Sequence, residues 1–275
     1  MHDLGKSAIG AAGLDLPRVI GHRGAASLAP ENTLAGFRRA RALGCRWVEF
    51  DVRMTADNRL VLLHDDRLDR TTNGRGRARS LPLEAIRRCD AGSWFASSFA
   101  RERVPTLEEA MATLSELGLG ANLELKAERG KAAETGLAAA ELTARLWPPH
   151  LPAPLISSFI AEAIRAARER APSVAYGLLL RSAAGQRWRR AEALGCTTVN
   201  IDHRRLRPAI VSEIRSAGFA VLAYTVNDVM RARELFEWGV ASVISDVPDL
   251  MLAAISAERM LRNAAPALAR PGLPS

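Results

Sequence analysis

The chain has 275 residues, 48% hydrophobic and 25% charged, with a formal net charge of +8. That is the composition of a folded globular protein, and it excludes the disordered, collagen-like and disulfide-scaffold classes. The positive charge does not point to nucleic acid either: Lys6, Lys126 and Lys131 are the only lysines, and the arginines are dispersed rather than interleaved with aromatics along a strip.

In chain order, short apolar or β-branched runs alternate with Ala/Arg/Leu segments of helical period. Strands are predicted over 18–21, 47–52, 121–125, 155–158, 174–179, 198–201, 220–224 and 242–245. Helices are predicted over 33–42, 106–117, 132–146, 161–170, 184–194, 208–217, 229–238 and 248–262. Gly44, Gly118, Gly195, Gly218 and Gly239 stand where a left-handed residue would close a helix before the next strand. Eight strand–helix repeats, in a chain near the ~250 residues usual for the fold, predict a (β/α)8 TIM barrel over 17–263, with tails at 1–16 and 264–275. The rhythm breaks once after the second strand, where TTNGRGRARS, a helix at 83–88 and the aromatic stretch SWFASSF predict an insertion of about 65–105 over the C-terminal face. Within it, Asn73-Gly74 reads as a turn. Trp94, Phe95 and Phe99 fit either one side of a site or an anchor onto the barrel.

Barrel active sites occupy the C-terminal ends of the strands, and polar residues accumulate there. Glu49 and Asp51, two apart on one strand, share a face, while Val48, Phe50 and Val52 share the other. Glu124 and Lys126 repeat the spacing on the next barrel strand. Two like charges on an inner face are costly unless a cation lies between them. Three carboxylates at one mouth suit a hard divalent ion; ion pairs with Arg23, Arg53 and Lys126 fit the spacing equally well. His22 and His64 each end an apolar run at the same rim, and a pair so disposed suits acid/base work. His203 reads as a solvated loop residue, His150 as part of a proline-rich connector and His2 as part of the terminus.

The segments His22-Arg23-Gly24-Ala25-Ala26-Ser27-Leu28-Ala29-Pro30-Glu31-Asn32-Thr33, Val48-Glu49-Phe50-Asp51-Val52, His64-Asp65 and Glu124-Leu125-Lys126 closely resemble the glycerophosphodiester phosphodiesterases. So do Ile156-Ser157-Ser158-Phe159, Tyr224-Thr225-Val226-Asn227 and Ile244-Ser245-Asp246-Val247-Pro248. The resemblance implies a (β/α)8 barrel that hydrolyses glycerophosphodiesters to sn-glycerol 3-phosphate and an alcohol with one divalent metal ion, Mg2+ or Ca2+. Carried over residue by residue, it makes His22 and His64 the acid/base pair, with His64 taken as acid and His22 as base. Glu49, Asp51 and Glu124 become the metal ligands, and Arg23 and Lys126 the phosphate contacts. The attacking oxygen is the glycerol 2-hydroxyl, giving a cyclic phosphate, or a water held by the ion. Tyr224 stands where family members often carry Trp, and with Phe159 it is a candidate wall of the substrate pocket; core packing is the alternative for Phe159. Asn32 is read as the N-cap of the first helix.

The expected partner is therefore a small glycerophosphodiester, with no nucleic acid; lysophospholipase D-type hydrolysis of lysophospholipids is the alternative. Cys45, Cys89 and Cys196 are widely spaced and form no CxxC pair, which fits a reducing, cytoplasmic setting. Asp3 and Asp15 interrupt any signal-like N-terminus, and no anchor helix or polybasic cluster predicts stable membrane association.

Overall fold

The computed structural model of the chain describes residues 13–128 and 130–264. The readings of the N-terminus, His2 included, and of the C-terminal tail fall mostly outside these residues.

In chain order the elements are β1 (Val19–Gly21), α1 (Leu34–Ala42), β2 (Trp47–Met54), β3 (Leu60–Leu62), α2 (Leu83–Arg87), α3 (Leu107–Leu117), β4 (Gly120–Leu125), α4 (Ala132–Leu146), β5 (Leu155–Ser158) and α5 (Ala161–Arg170). They continue with β6 (Ala175–Leu180), α6 (Arg190–Ala193), β7 (Thr198–Asp202), α7 (Pro208–Ser216), β8 (Ala220–Tyr224), α8 (Val229–Glu237), β9 (Ser242–Ser245) and α9 (Pro248–Ala264). All strands but β3 pair in parallel, and β1 joins both β2 and β9, so eight strands close into a (β/α)8 barrel. The five helix-ending glycines all have positive φ. The helix predicted over 184–194 is instead a 3-10 stretch, Ala184–Arg189, followed by the single turn of α6. Gly185 and Gln186, both at positive φ, interrupt it.

The apolar run before His64 forms a ninth strand outside the barrel. β3 folds back antiparallel on the end of β2, with Val52 opposite Leu62 and Met54 opposite Leu60. The amide of Leu63 then donates to the Asp51 carbonyl at 3.1 Å, which delivers His64 to the barrel mouth. The segment beyond has a small core of its own: Val61, Leu63, Leu68, Ala78, Ile86, Ala91 and Val104.

Alternation along the strands sorts the chain into layers. Val48, Phe50 and Val52 join the core under the helices, Phe50 meeting Phe37 at a ring separation of 5.2 Å. Inside the barrel, Trp47 packs with Ile20, Leu155, Ala175, Leu222 and Ile244 as an apolar floor. A buried polar layer follows, in which Ser157 donates to Asn122 at 2.8 Å and Thr198 to Asn200 at 2.9 Å. Glu49, Asp51 and Glu124 occupy the next level, at the mouth.

The floor tolerates no side chain at Gly120, where a Cβ would lie 2.3 Å from Trp47 Nε1 and 2.4 Å from its Cε2. Because the indole is fully buried, Gly120→Ala is expected to cost about 1–3 kcal/mol by overpacking. Urea denaturation measures this, and a midpoint unchanged from the parent would mean that Trp47 has room to move.

Candidate active site

Glu49, Asp51 and Glu124 are all buried, and one oxygen from each lies within 4.8 Å of the others. Glu49 Oε1 and Asp51 Oδ1 are enclosed without a hydrogen bond, although Lys126 Nζ lies 3.1 Å from the latter. Burial, and then the charge of Asp51, push Glu49 well above the ordinary carboxylate range. Glu124 is raised for the same reasons. Burial would raise Asp51 too, but Lys126, Arg23 and His64, with a hydrogen bond from Asn32, hold it far below that range. Hard oxygen donors, two of them lacking a hydrogen bond, make a set that can hold a divalent cation.

The turn after β1 brings the cations in. Arg23 adopts φ 48° and Gly24 φ 93°, and a Cβ on Gly24 would come within 2.7 Å of the Gly36 backbone in α1. This tight wrap turns the Arg23 amide onto Glu49 Oε2 at 3.2 Å and sets its Nε 3.2 Å from Asp51 Oδ2. Lys126 Nζ bridges Asp51 and Glu124. Arg53, one of the expected ion-pair partners, is not in the cluster. It donates to the His64 carbonyl at 3.0 and 2.6 Å and to the Lys126 carbonyl at 3.2 Å, lacing the strand ends together.

Asn32 does not cap α1. Thr33 does, its Oγ1 accepting from the Gly36 amide at 3.1 Å. Asn32 takes a left-handed conformation, φ 56°, that turns its amide onto Asp51: Nδ2 donates to Oδ2 at 2.8 Å, and Oδ1 accepts the Asp51 N–H at 3.0 Å. Asn tolerates this backbone better than most residues.

Both histidines have their Nδ1 on a carboxylate. His22 Nδ1 donates to Asp246 at 2.5 Å, and Asp246 is held in turn by Asn227 through Nδ2 at 2.7 Å. His64 Nδ1 donates to Asp65 at 2.7 Å, and Asp65 is held by Arg70. These partners orient each ring and leave Nε2 free for proton exchange; that of His22 lies 3.8 Å from Glu49. Burial disfavours charge on His22, yet the Asp246 hydrogen bond and Glu49 outweigh it and raise its pKa. For His64 burial prevails and the pKa is lowered, with Asp51 opposing and Arg23 and Lys126 assisting. Asp65 and Asp246 lie inside the motifs read from the sequence without a role there. Their signal was position, a carboxylate at the end of a strand-like run. Glu31 and Arg70 carried no such signal.

Phe159 is 38% exposed rather than packed in the core, and it meets Tyr224 edge to face at 6.0 Å. Lys126 Nζ lies 5.9 Å from the Phe159 ring. The Tyr224 hydroxyl donates to the Leu180 carbonyl at 2.8 Å. Trp94, Phe95 and Phe99 pack on one another, with ring separations of 5.7 and 5.6 Å. His203, itself half-buried, opens a 3-10 turn after β7 whose Arg204 and Arg205 are exposed, and His150 is exposed.

Residues 22–250 match the family described as Glycerophosphoryl diester phosphodiesterase family. A glycerophosphodiester phosphodiesterase of Caldanaerobacter subterraneus subsp. tengcongensis is 32% identical over 234 residues, covering 85% of this chain and 96% of the relative. Among solved structures, a phosphodiesterase of Oleispira antarctica in complex with the product sn-glycerol-3-phosphate is 39% identical, with TM-score 0.85, covering 88% of this chain and 97% of that one. A glycerophosphodiester phosphodiesterase of Agrobacterium tumefaciens is 30% identical with TM-score 0.72, covering 86% and 100%. With a closed barrel, an acidic mouth flanked by two histidines and these relatives over most of its length, the chain belongs to the glycerophosphoryl diester phosphodiesterase family and is a phosphodiester hydrolase.

Proposed function

We propose that the protein hydrolyses small, water-soluble glycerophosphodiesters to sn-glycerol 3-phosphate and an alcohol, using one divalent ion, Mg2+ or Ca2+, held by Glu49, Asp51 and Glu124. The observation that carries this reading is the pair of histidines, each oriented by a carboxylate on Nδ1, beside three buried carboxylates and two cations. The likeness to the Oleispira phosphodiesterase, whose complex holds sn-glycerol-3-phosphate, supports the product.

A phosphodiester is anionic, so an attacking oxygen must be brought to a centre that repels it. A bound ion would supply Lewis-acid neutralisation of the phosphate oxygens. The Arg23 guanidinium and the Lys126 ammonium add donors for the nonbridging oxygens, Arg23 as a fork and Lys126 as a point charge. One histidine takes the proton of the attacking oxygen through Nε2, and the other returns a proton to the departing alcohol. The Tyr224 and Phe159 rings cover the glycerol carbons and keep water from that side. The free thiols of Cys45, Cys89 and Cys196 support a reducing, cytoplasmic setting, and among the described residues no helix is long and apolar enough to cross a membrane.

A coupled sn-glycerol 3-phosphate assay tests the reading directly. Release from glycerophosphocholine and glycerophosphoethanolamine, abolished by chelator, is expected; chelator-insensitive release, or release only from lysophosphatidylcholine, overturns it. Burial makes Glu49 and Glu124 hold protons more tightly, and ion binding competes with those protons. Calorimetric affinity should therefore tighten as the pH is raised through neutrality, and Glu49→Gln should weaken both the affinity and its pH dependence. A flat profile would remove Glu49 from the ligand set.

His22→Ala and His64→Ala are each expected to lower turnover about 10²–10⁴-fold. A p-nitrophenyl leaving group separates their roles, since it departs without a proton. With His64 as the acid, His64→Ala retains turnover on that substrate and His22→Ala does not; the opposite result exchanges the roles. The raised pKa of His22 and the lowered pKa of His64 favour the exchange, although Glu49, whose charge a bound cation would offset, is part of what raises His22.

A further inference from the structure

Arg70 lies in the segment between β3 and α3, outside the barrel strands, with 45% of its side chain exposed. Every edge of its guanidinium is nevertheless engaged. Nε and Nη2 donate to Asp65 Oδ2 and Oδ1 at 2.7 and 3.0 Å. Nη1 and Nη2 donate to Glu31 Oε2 and Oε1, both at 2.8 Å. Each carboxylate also holds a residue of the mouth: Asp65 Oδ1 accepts from His64 Nδ1 at 2.7 Å, and Glu31 Oε1 accepts from Arg23 Nη1 at 2.8 Å. An unbroken chain of charge-assisted contacts therefore runs from His64 through Asp65, Arg70 and Glu31 to Arg23, and on to Asp51.

We propose that Arg70 is a positioning residue that locks His64 and Arg23 into one relative geometry by clamping the carboxylates behind both; the proposal rests on the proton-transfer and phosphate-binding roles given to those two residues above. An isolated exposed ion pair contributes little. Here, however, a planar fork makes two bidentate pairs at once, a geometry that fixes orientation as well as proximity. Without Arg70, Asp65 is free to rotate, and the His64 ring with it. Among the described residues Glu31 is left with Arg23 as its one cationic partner, which draws that guanidinium away from Asp51. Misplacing a reacting group by about 1 Å can cost roughly 100-fold in rate. In this arrangement the segment after β3 acts as a brace for the catalytic geometry.

The test uses the full chain with glycerophosphocholine and added Mg2+. Arg70→Ala is expected to lower kcat about 10- to 100-fold and to raise KM. Arg70→Lys, which can serve one carboxylate but not fork across two, recovers part of the loss, as does guanidinium ion added to Arg70→Ala. Adding Asp65→Asn or Glu31→Gln to Arg70→Ala costs less than the same change costs in the parent, because the three residues act as one unit. An Arg70→Ala enzyme within about twofold of the parent in kcat and KM, or losses that multiply independently, overturns the proposal. Should Arg70→Ala fail to fold, Arg70→Lys combined with the same second changes decides it. Parent-like turnover in His64→Ala and Arg23→Ala would overturn the underlying reading instead; if those variants are impaired while Arg70→Ala is not, the Arg70 proposal alone fails.

Discussion

Three carboxylates buried within 4.8 Å of one another are the constraint around which this barrel mouth is built. Enclosed carboxylates in such proximity repel each other and lack the water that would otherwise solvate them. Two responses are visible. Protons are held more tightly on Glu49 and Glu124, and cations are drawn onto Asp51, which stays ionised between Lys126 and Arg23. On the function proposed above, the same imbalance would draw in a divalent ion and then an anionic phosphodiester.

Placing those cations imposes demands on distant parts of the chain. Arg23 points at the carboxylates because the loop after β1 turns through two unusual backbone conformations, at Arg23 and Asn32. A left-handed non-glycine residue costs of order 1–3 kcal/mol and persists only where its surroundings hold it. Here the hydrogen bonds from the Arg23 amide to Glu49 and from the Asn32 side chain to Asp51 do the holding. The antiparallel β2–β3 hairpin performs the corresponding service for His64, carrying it back to the rim that β2 has just left.

Much of this could be read from the residues in order. The period-2 alternation of Val48-Glu49-Phe50-Asp51-Val52 separates the core face from the site face, and the eight strand segments follow from apolar runs bounded by glycine-ended helices. What could not be read were roles that depend on partners far apart in the chain. Asp246 lies 224 residues from the histidine it orients. Asn32 looked like a helix cap because the local rule for capping is strong and Thr33 beside it satisfies the same rule; only the position of Asp51 shows which residue caps and which turns inward. Arg53 was a plausible ion-pair partner by spacing, but at the end of β2 two backbone carbonyls capture its guanidinium first.

The sequence by itself determined the barrel, its family resemblance and a cast of candidates for the site, because periodicity and short motifs are local properties that the backbone must obey wherever it folds. Only the tertiary structure decided how the members of that cast hold one another: which carboxylates hold their protons more tightly, which histidine leans on which aspartate, and that Arg70 links His64 to Arg23. Those facts depend on burial and on distances across the barrel, and neither exists until the strands have closed.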